Sequence, residues 1–398
     1  IDDIVIGNKD GAWVVYGRTS YDDTSLFDVT GVNGANGFRF NTVVNGVSSA
    51  GNVDGQGGDD LLVGGQGAAY VIYAGADQPP AIVAPPPIPG PIGASLSPAD
   101  LVSGVGTTIT FAGASDYFDV ADLGDFNGDG TDDMLISRPD TGDAYVVYGD
   151  TNGLPATIEL STLTSAQGFK IDGLAGRRPL AGNDRSVSAA GDFNNDGRAD
   201  LIIGDMYGNS DRTGSYGEAW IVFGFDPTTS TPFDTLPNNT LQLANVNTAG
   251  APTGVRINAE AGQPYAGWSV ADAGDINNDG IADVLLGVNA DRGYSSYGDR
   301  KGYTYVVFGT ATPGTEINLG TLNGNDGFRI DGRFGYYTRG IIGDISGYAV
   351  AGVGDIDGDG IDDLAIGAPS ADDNFNSPLN SGEAYLVPGR DVHGSEPH

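Results

Sequence analysis

Short apolar segments alternate with turns rich in glycine and aspartate along most of the chain. Some segments alternate small and apolar residues, as in Tyr348–Gly354, and others are continuously apolar, as in Leu364–Gly367. Long runs of helix-forming residues at helical spacing are absent. Alternation with period two and frequent turn residues are typical of β-strands, so the pattern predicts an all-β protein of many short strands.

One loop with its flanking strands recurs along the chain. The clearest copies are LGDFNGDGTDDMLIS from Leu123, AGDFNNDGRADLIIG from Ala190, AGDINNDGIADVLLG from Ala273 and VGDIDGDGIDDLAIG from Val353. AGNVDGQGGDDLLVG from Ala50 is a degraded copy, and DDIVIG from Asp2 resembles the tail of a sixth. Self-similarity at a fixed period indicates a repeat architecture.

Each repeat contains four predicted strands, called A to D, and the aspartate loop joins A to B. Strand C has the form GEAWIVFG (217–224) or GEAYLVPG (382–389), and strand D has the form GFRF (37–40) or GFRI (327–330). The loops lie about 67 to 83 residues apart, too far for the coils of a β-helix. Units of this size bury their faces against neighbours, which predicts a β-propeller of four-stranded antiparallel blades.

Six blades are recognisable, and the first and last lack strands. Strands B to D of the first blade and A to C of the last are present, so the pattern is compatible with a six- or seven-bladed ring. We expect one propeller over residues 1–390 and a polar tail at 391–398, in a fragment of a longer protein, because Ile1 opens in the middle of a repeat. A proline-rich insertion at 78–93 is expected to form surface loop, because proline cannot donate to a strand ladder.

These loops, their flanking strands and their order resemble the FG-GAP repeat. That unit builds the propeller of the integrin α-subunit and occurs in many bacterial surface proteins. The resemblance covers most of the chain. It implies calcium-binding loops on one face of the propeller and ligand recognition on the opposite face.

The loops themselves indicate calcium. Side-chain oxygens recur at positions one, three, five and nine, and the backbone carbonyl of position seven is the natural further ligand; hard oxygen donors of this kind suit Ca²⁺ better than Mg²⁺ or transition metals. The candidate ligands are Asp125, Asn127, Asp129, Thr131 and Asp133; Asp192, Asn194, Asp196, Arg198 and Asp200; Asp275, Asn277, Asp279, Ile281 and Asp283; Asp355, Asp357, Asp359, Ile361 and Asp363; and Asn52, Asp54, Gln56, Gly58 and Asp60. We expect four to five ions, since amides replace two carboxylates in the last set.

Alternatives to this interpretation can be weighed from the same residues. The aspartates could serve only as turn caps, because Asp and Asn favour turns in any case. An EF-hand requires flanking helices and a glutamate at position twelve, where this chain has Ile136, Ile203, Leu286 or Ile366. One stretch, Gly55–Gly65, resembles glycine-aspartate nonapeptide repeats, but it occurs once and out of register.

Composition narrows the functional classes. The formal charge is −35, from 53 acidic and 18 basic residues, which disfavours nucleic acid and anionic membranes as partners. There is no cysteine, and no apolar run has the length of a membrane span. The only histidines, His393 and His398, lie in the tail, which argues against a histidine-based active site. We therefore expect no enzyme, although a carboxylate pair for glycoside hydrolysis remains open.

The scarce basic residues collect with tyrosines in the B–C and D–A loops, on the expected ligand face. Arginine and tyrosine are enriched in binding hot spots. The candidate ligand-binding residues are Arg177, Arg178, Arg212, Tyr216, Arg292, Tyr294, Tyr297, Arg300, Tyr336, Tyr337 and Arg339; Arg185, Lys301 and Arg333 lie in the same loops. The alternative is internal pairing with loop aspartates such as Asp205, Asp211, Asp291 and Asp299.

These features favour a calcium-stabilised adhesion or interaction module, extracellular or at the cell surface, and of bacterial origin. Its ligand would be a protein or a glycan. A structural protomer of a surface layer, filament or matrix is the alternative, because the incomplete terminal blades could accept strands from neighbours. A polysaccharide-active enzyme domain is a weaker alternative.

Overall fold

The structure is a computed structural model that describes residues 4–8, 11–15, 37–56, 58–74, 95–101, 105–112, 118–138, 143–172, 187–206, 208, 217–226, 236–247, 253–260, 265–288, 301–337, 340–371 and 382–391. The strands of the first part are β1 (Ile4–Asn8), β2 (Gly11–Val15), β3 (Gly37–Phe40), β4 (Val44–Gly51), β5 (Asp60–Gly65), β6 (Ala68–Ile72), β7 (Ser95–Leu96), β8 (Gly106–Thr110), β9 (Asp119–Gly124), β10 (Asp133–Arg138), β11 (Asp143–Val147), β12 (Thr157–Glu159) and β13 (Gly168–Asp172). Those that follow are β14 (Val187–Gly191), β15 (Asp200–Asp205), β16 (Glu218–Val222), β17 (Thr240–Gln242), β18 (Gly254–Asn258), β19 (Ala266–Gly274), β20 (Asp283–Val288), β21 (Tyr303–Val307), β22 (Glu316–Asn318), β23 (Gly327–Asp331), β24 (Phe334–Tyr337), β25 (Gly340–Gly343), β26 (Ala349–Gly354), β27 (Asp363–Ala368) and β28 (Glu383–Val387). Three-residue 3₁₀ helices lie at Pro98–Asp100, Leu160–Thr162, Pro237–Asn239, Leu243–Asn245 and Leu319–Thr321.

The fold is an all-β, six-bladed β-propeller, as expected from the repeat. The strand orders are β1-β2-β3-β7 in blade 1, β4-β5-β6-β8-β12 in blade 2, β9-β10-β11-β13-β17 in blade 3, β14-β15-β16-β18-β22 in blade 4, β19-β20-β21-β23 in blade 5 and β26-β27-β28 in blade 6. Strands β24 and β25 form a separate hairpin. Among the described residues, blade 1 therefore contains strands B to D and blade 6 strands A to C, as expected.

Three blades contain a fifth strand that the sequence analysis missed. This strand comes from the C–D connection of the following repeat and pairs in parallel with strand D of its predecessor, as in Ile158↔Ile109 and Leu241↔Ile171. The pairing β18–β22 repeats the arrangement, and β3–β7 gives blade 1 its outer strand in the same way. The middle residues Ile158 and Leu241 are buried, so each short strand closes the outer edge of a blade with an apolar contact.

The described residues group into two compact units, and the first comprises Ile1–Asp122, Thr131–Arg138 and Ala144–Phe169. Its core has two layers. Val63 belongs to a cluster with Phe40 and Tyr70, whose rings lie 5.3 Å apart, edge to face. Leu62, the preceding residue, belongs to a second cluster with Phe118. Because successive side chains of a strand point to opposite faces, β5 contributes to the packing on both of its sides.

The second unit comprises Leu123–Gly130, Pro139–Asp143 and Lys170–His398. It repeats this layering, since Leu286 of β20 packs with Ile221 of β16, while its neighbour Leu285 packs with Ile366 of β27. Blade 5 is thus covered on both faces. Strands β15, β16, β20 and β21 are buried at every residue for the same reason.

Blade 6 is covered on one face only within the described residues. In β28, Tyr385 and Val387 pack against blade 5, whereas Leu386 is 62% exposed. No helix of the described residues has the length and apolar character needed to cross a membrane. The proline-rich insertion at 78–93 lies outside the described residues.

Candidate metal centres

Five loops join strands A and B, and each is named here by its first residue: the Asn52, Asp125, Asp192, Asp275 and Asp355 loops. Glycine at position six has a left-handed φ near +90° in four of them, at Gly130, Gly197, Gly280 and Gly360. L-residues avoid this region, so glycine permits the sharp turn that brings the loop's oxygens together.

The position-one aspartate organises the loop in these four cases. In the Asp192 loop, Oδ1 accepts a hydrogen bond from Asp196 N at 2.9 Å, and Oδ2 accepts one from Gly197 N at 2.8 Å. The same pair of bonds recurs in the Asp125, Asp275 and Asp355 loops. Turn capping is therefore a real role of these aspartates. Each carboxylate oxygen has two lone pairs, so an accepted N–H bond leaves capacity for a metal.

The position-nine aspartate ties the loop to the end of strand C. Oδ1 of Asp283 accepts from Gly309 N at 2.9 Å, and Oδ2 accepts from Ile276 N at 3.2 Å. Asp60, Asp200 and Asp363 make corresponding bonds to the backbone at the end of strand C and at position two or three of their own loops. These aspartates are buried, so their carboxylates lie where solvent cannot neutralise charge.

Burial has an electrostatic consequence. It raises the pKa of Asp60 to about 7 and the pKa of Asp200 and Asp283 to about 8, with further contributions from the neighbouring loop carboxylates. The pKa of Asp363 is instead lowered by hydrogen bonds from Gly389 N and Ile356 N. Carboxylates buried beside other carboxylates fit a site whose charge is balanced by a cation.

Two observations test whether the residues fit a calcium ion. Carboxylate oxygens of Asp355, Asp357 and Asp363 all lie within 4.8 Å of one another. Oδ1 of Asn277 and Oδ1 of Asn52 are buried and accept no hydrogen bond from the residues that the structure describes. A buried, unsatisfied amide oxygen is costly, and a cation at the predicted position would satisfy it. The donor set therefore fits Ca²⁺, which would supply positive charge and a common centre for oxygens from the whole loop.

Other predicted ligands make hydrogen bonds, mostly within their own loop. Asp359 lies outside the group of three carboxylates, and its Oδ1 accepts from Ile361 N at 2.9 Å. Asp129 Oδ2 accepts from the Asn127 amide at 3.0 Å, as Asp196 does from Asn194 at 3.1 Å. In the degraded loop, Asp54 Oδ1 accepts from Gln56 N, and the Gln56 amide donates to Thr151 O. The position-seven carbonyls, from Gly58, Thr131, Arg198, Ile281 and Ile361, stay predictions.

Position eight carries a role that the sequence analysis missed. Asp132 Oδ2 accepts from Asn52 N at 2.7 Å, and Asp362 Oδ2 accepts from Asp275 N at 2.8 Å, so each bonds the loop of the preceding repeat. The Asp192 and Asp275 loops have Ala199 and Ala282 at position eight, beside the glycine before the preceding loop. The doubled aspartate at the end of a loop was the available signal.

Almost all candidate ligand-face residues lie outside the described residues: Arg177, Arg178, Arg212, Tyr216, Arg292, Tyr294, Tyr297, Arg300 and Arg339. Tyr336 and Tyr337 lie in β24, but their side chains are not described. Arg333, from the same loops, pairs with Asp344 and Glu383, which matches the alternative of internal pairing at that position.

Comparisons with known proteins agree with the repeat. The FG-GAP repeat profile matches residues 185–222 and 346–387, in blades 4 and 6. Integrin alpha pat-2 of Caenorhabditis briggsae is 28% identical over 62% of the chain, and integrin alpha-4 of Xenopus laevis is 28% identical over 49%. Phosphatidylinositol-glycan-specific phospholipase D of Mus musculus is 36% identical over 27% of the chain.

The chain spans only a small part of these relatives. It covers 17% of the first integrin, 15% of the second and 11% of the phospholipase D.

Proposed function

Because the chain is a propeller of FG-GAP repeats similar to integrin α-subunits, we propose that it is an extracellular adhesion or interaction module stabilised by calcium. The integrin similarity supports the interaction role. The loops support the calcium role, and the observation that carries it is the oxygen cluster of Asp355, Asp357 and Asp363 together with the buried, unsatisfied oxygen of Asn277. The phospholipase D similarity covers too little of that enzyme to support an enzymatic proposal.

The position of the loops explains what calcium would do. Each loop bonds strand C of its own blade through position nine, and two bond the preceding loop through position eight. Calcium held at these points would fix the A–B hairpins and their connections. Extracellular modules often bind Ca²⁺ with a Kd of roughly 10⁻⁴ to 10⁻³ M. At about ten times Kd, each site would add about 1.4 kcal/mol to the free energy of unfolding.

The test is thermal unfolding of the whole chain in calcium and in EGTA, with metal analysis of the purified protein. We expect EGTA to lower Tm by many degrees, Ca²⁺ to restore it, and Mg²⁺ to restore it less. Asp357→Asn should weaken the response to calcium. Asp150→Asn is the matched control, since this exposed residue lies outside the loops and asparagine keeps the oxygen that accepts from Asn152 N. An unchanged Tm after chelation, with no metal in the protein, would refute the calcium role.

The interaction role needs a separate measurement. Immobilised matrix proteins and a glycan array, probed with the protein in calcium, should reveal a ligand whose binding EGTA abolishes. Absence of binding to both panels by a calcium-loaded, folded protein would count against an adhesion module and leave the calcium result standing.

A further inference from the structure

Two residues that follow strand C join each aspartate loop to the loop before it. In blade 6, Gly389 N donates to Asp363 Oδ1 of its own loop at 2.8 Å, and the backbone N of the next residue, Arg390, donates to Ile276 O of the preceding loop at 2.9 Å. This connecting pair therefore bonds position nine of one loop and position two of another. Position two lies between the predicted ligands at positions one and three.

The same connection recurs after strand C of other blades. In blade 5, Gly309 N donates to Asp283 Oδ1 and Thr310 N donates to Phe193 O, both at 2.9 Å. Equivalent pairs of bonds are made by Gly224 with Phe225 and by Gly149 with Asp150. Each of the four pairs of consecutive loops is thus joined by backbone hydrogen bonds.

The glycine of the connecting pair lies in close contact with both loops. A Cβ at Gly389 would overlap the backbone carbonyl of Asp362 in its own loop and would lie 3.2 Å from Ile276 O in the preceding loop. A Cβ at Gly309 would lie just as close to the two loops that it joins. Because backbone atoms of both loops pack on one residue, a movement of one loop displaces the contact surface of the next.

The Asp275 and Asp355 loops have a second connection, through position eight. Asp362 Oδ2 accepts a hydrogen bond from Asp275 N, the first residue of the preceding loop, at 2.8 Å. The residues on either side of Asp362 are the predicted ligands Ile361 and Asp363. The same stretch of backbone therefore supplies ligands to one loop and fixes position one of the other. Alanine occupies position eight of the Asp275 loop, so its side chain cannot bond the loop before it in this way.

Both loops of this pair contain oxygens suited to a cation. Carboxylate oxygens of Asp355, Asp357 and Asp363 lie within 4.8 Å of one another in the one loop. In the other, Asn277 is 1% exposed, and its Oδ1 accepts no hydrogen bond from the part of the chain that the structure describes. Each of the two connected loops thus contains oxygens whose bonding capacity a cation would satisfy.

We propose that the Asp275 and Asp355 loops bind calcium cooperatively, with Asp362 as the positioning residue that couples them and the pair Gly389 and Arg390 as a second, weaker connection. The inference rests on the calcium role proposed above. Holding one loop in its bound conformation also holds the hydrogen-bonding groups of the other, so the second ion meets a loop that is already ordered. Such coupling is reciprocal, so loss of either ion weakens the other site by the same factor.

The test follows each loop separately, by hydrogen–deuterium exchange of the whole chain across a calcium titration. Peptides covering residues 275–283 and 355–363 report the calcium midpoint at which each loop becomes protected. The double variant Asp357→Asn, Asp359→Asn weakens its own site but keeps the oxygens that accept from Asp359 N and Ile361 N. It should raise the midpoint of the Asp275 loop about fivefold, which is a typical coupling between sites. Asp279→Asn, which gives the Asp275 loop the same donor set, should raise the midpoint of the Asp355 loop equally.

Variants at position eight test the coupling residue itself. Asp362→Ala removes the bond to Asp275 N and should reduce the coupling to about twofold. Asp362→Asn loses the same charge but keeps an oxygen that can accept this bond, so it should retain most of the coupling. A further comparison needs no change at Asp362: Asp279→Asn should shift the midpoint of the Asp192 loop only about twofold, because alanine at position eight leaves these two loops with the weaker connection.

The outcomes distinguish the coupling from the calcium role on which it rests. If calcium protects both loops but each midpoint is unaffected by the variants of the other loop, the coupling is overturned and the calcium role stands. Equal coupling in Asp362→Ala and in the parent would overturn the assignment to Asp362. If calcium protects neither loop, the calcium role is itself refuted, and the coupling with it.

Discussion

Blades 4 and 6 contain nearly the same strand C in two different surroundings. The segments are GEAWIVFG at 217–224 and GEAYLVPG at 382–389. In blade 4 all five residues of β16 are buried. In blade 6 the residues of β28 alternate between half-buried and exposed. Local sequence specifies the strand in both cases, so the difference in burial comes from what surrounds it.

The second and fourth residues of the strand show the cause. Ala219 and Ile221 of blade 4 pack in one cluster with Leu286 of blade 5. Their counterparts Ala384 and Leu386 are exposed. An apolar pattern therefore predicts which face of a blade can be buried. Whether that face is buried depends on a neighbouring blade, because a repeat buries its face only by stacking.

The largest difference in stability between the two blades is expected when the fourth residue of strand C is truncated. Ile221→Ala removes a fully buried side chain and should lower the free energy of unfolding by about 3–4 kcal/mol, through lost burial and a cavity. Leu386→Ala, at an exposed position, should change it by less than about 0.5 kcal/mol. Chemical denaturation in calcium measures both. Equal losses would mean that the Leu386 face is covered in solution.

The second-largest difference is expected in how much the ion pairs of strand C stabilise the two blades. Arg256→Ala leaves the fully buried Glu218 without its arginine and should cost about 3 kcal/mol. Arg333→Ala breaks a pair whose arginine is mostly exposed and should cost less than about 1 kcal/mol. Arg256→Lys is the control, because it keeps the charge but loses the planar contact with Trp220, and it should fall between the two. A cost for Arg333→Ala as large as that for Arg256→Ala would show that blade 6 depends on this ion pair just as strongly.

The strands of the blades were predictable because each repeat carries the same pattern of apolar residues and turns. The fifth strands were not, since Thr157–Glu159 and Thr240–Gln242 have only three residues and their partners lie in another repeat. Aligning the C–D connections would have revealed their shared apolar centre followed by leucine, at Leu160 and Leu243, which are both buried.

In the loops, too, contacts within one repeat were predictable from the sequence and contacts between repeats were not. Their internal spacing predicted which oxygens share a loop, because those residues lie within nine positions of one another. The bonds of Asp132 and Asp362 to neighbouring loops were missed, since their partners are 80 and 87 residues away. Sequence spacing carries no information about such contacts until the order of the blades is known.

The smallest expected difference is in calcium affinity, between the aspartate loops of blades 4 and 6. Position seven is Ile361 in blade 6 but Arg198 in blade 4, where Nη1 lies 3.5 Å from Asp196 Oδ1 and Nη2 lies 3.6 Å from Asp226 Oδ2. A positive charge beside a predicted ligand opposes a cation. We therefore expect the Asp192 loop to bind calcium more weakly than the Asp355 loop, if both bind it.

Arg198→Thr, which introduces the residue found at position seven of the Asp125 loop, should tighten the weaker site about three- to tenfold, equivalent to about 1 kcal/mol. Native mass spectrometry across a calcium titration counts the bound ions, and one ion should bind at lower calcium in the variant. Lys170→Thr removes one positive charge from a pair with Asp143, outside the loops, and should leave the titration unchanged. Because the guanidinium of Arg198 is half-buried between two carboxylates, the change in calcium affinity should persist in moderate salt. A change that vanishes at about 0.15 M ionic strength would indicate only an effect of surface charge.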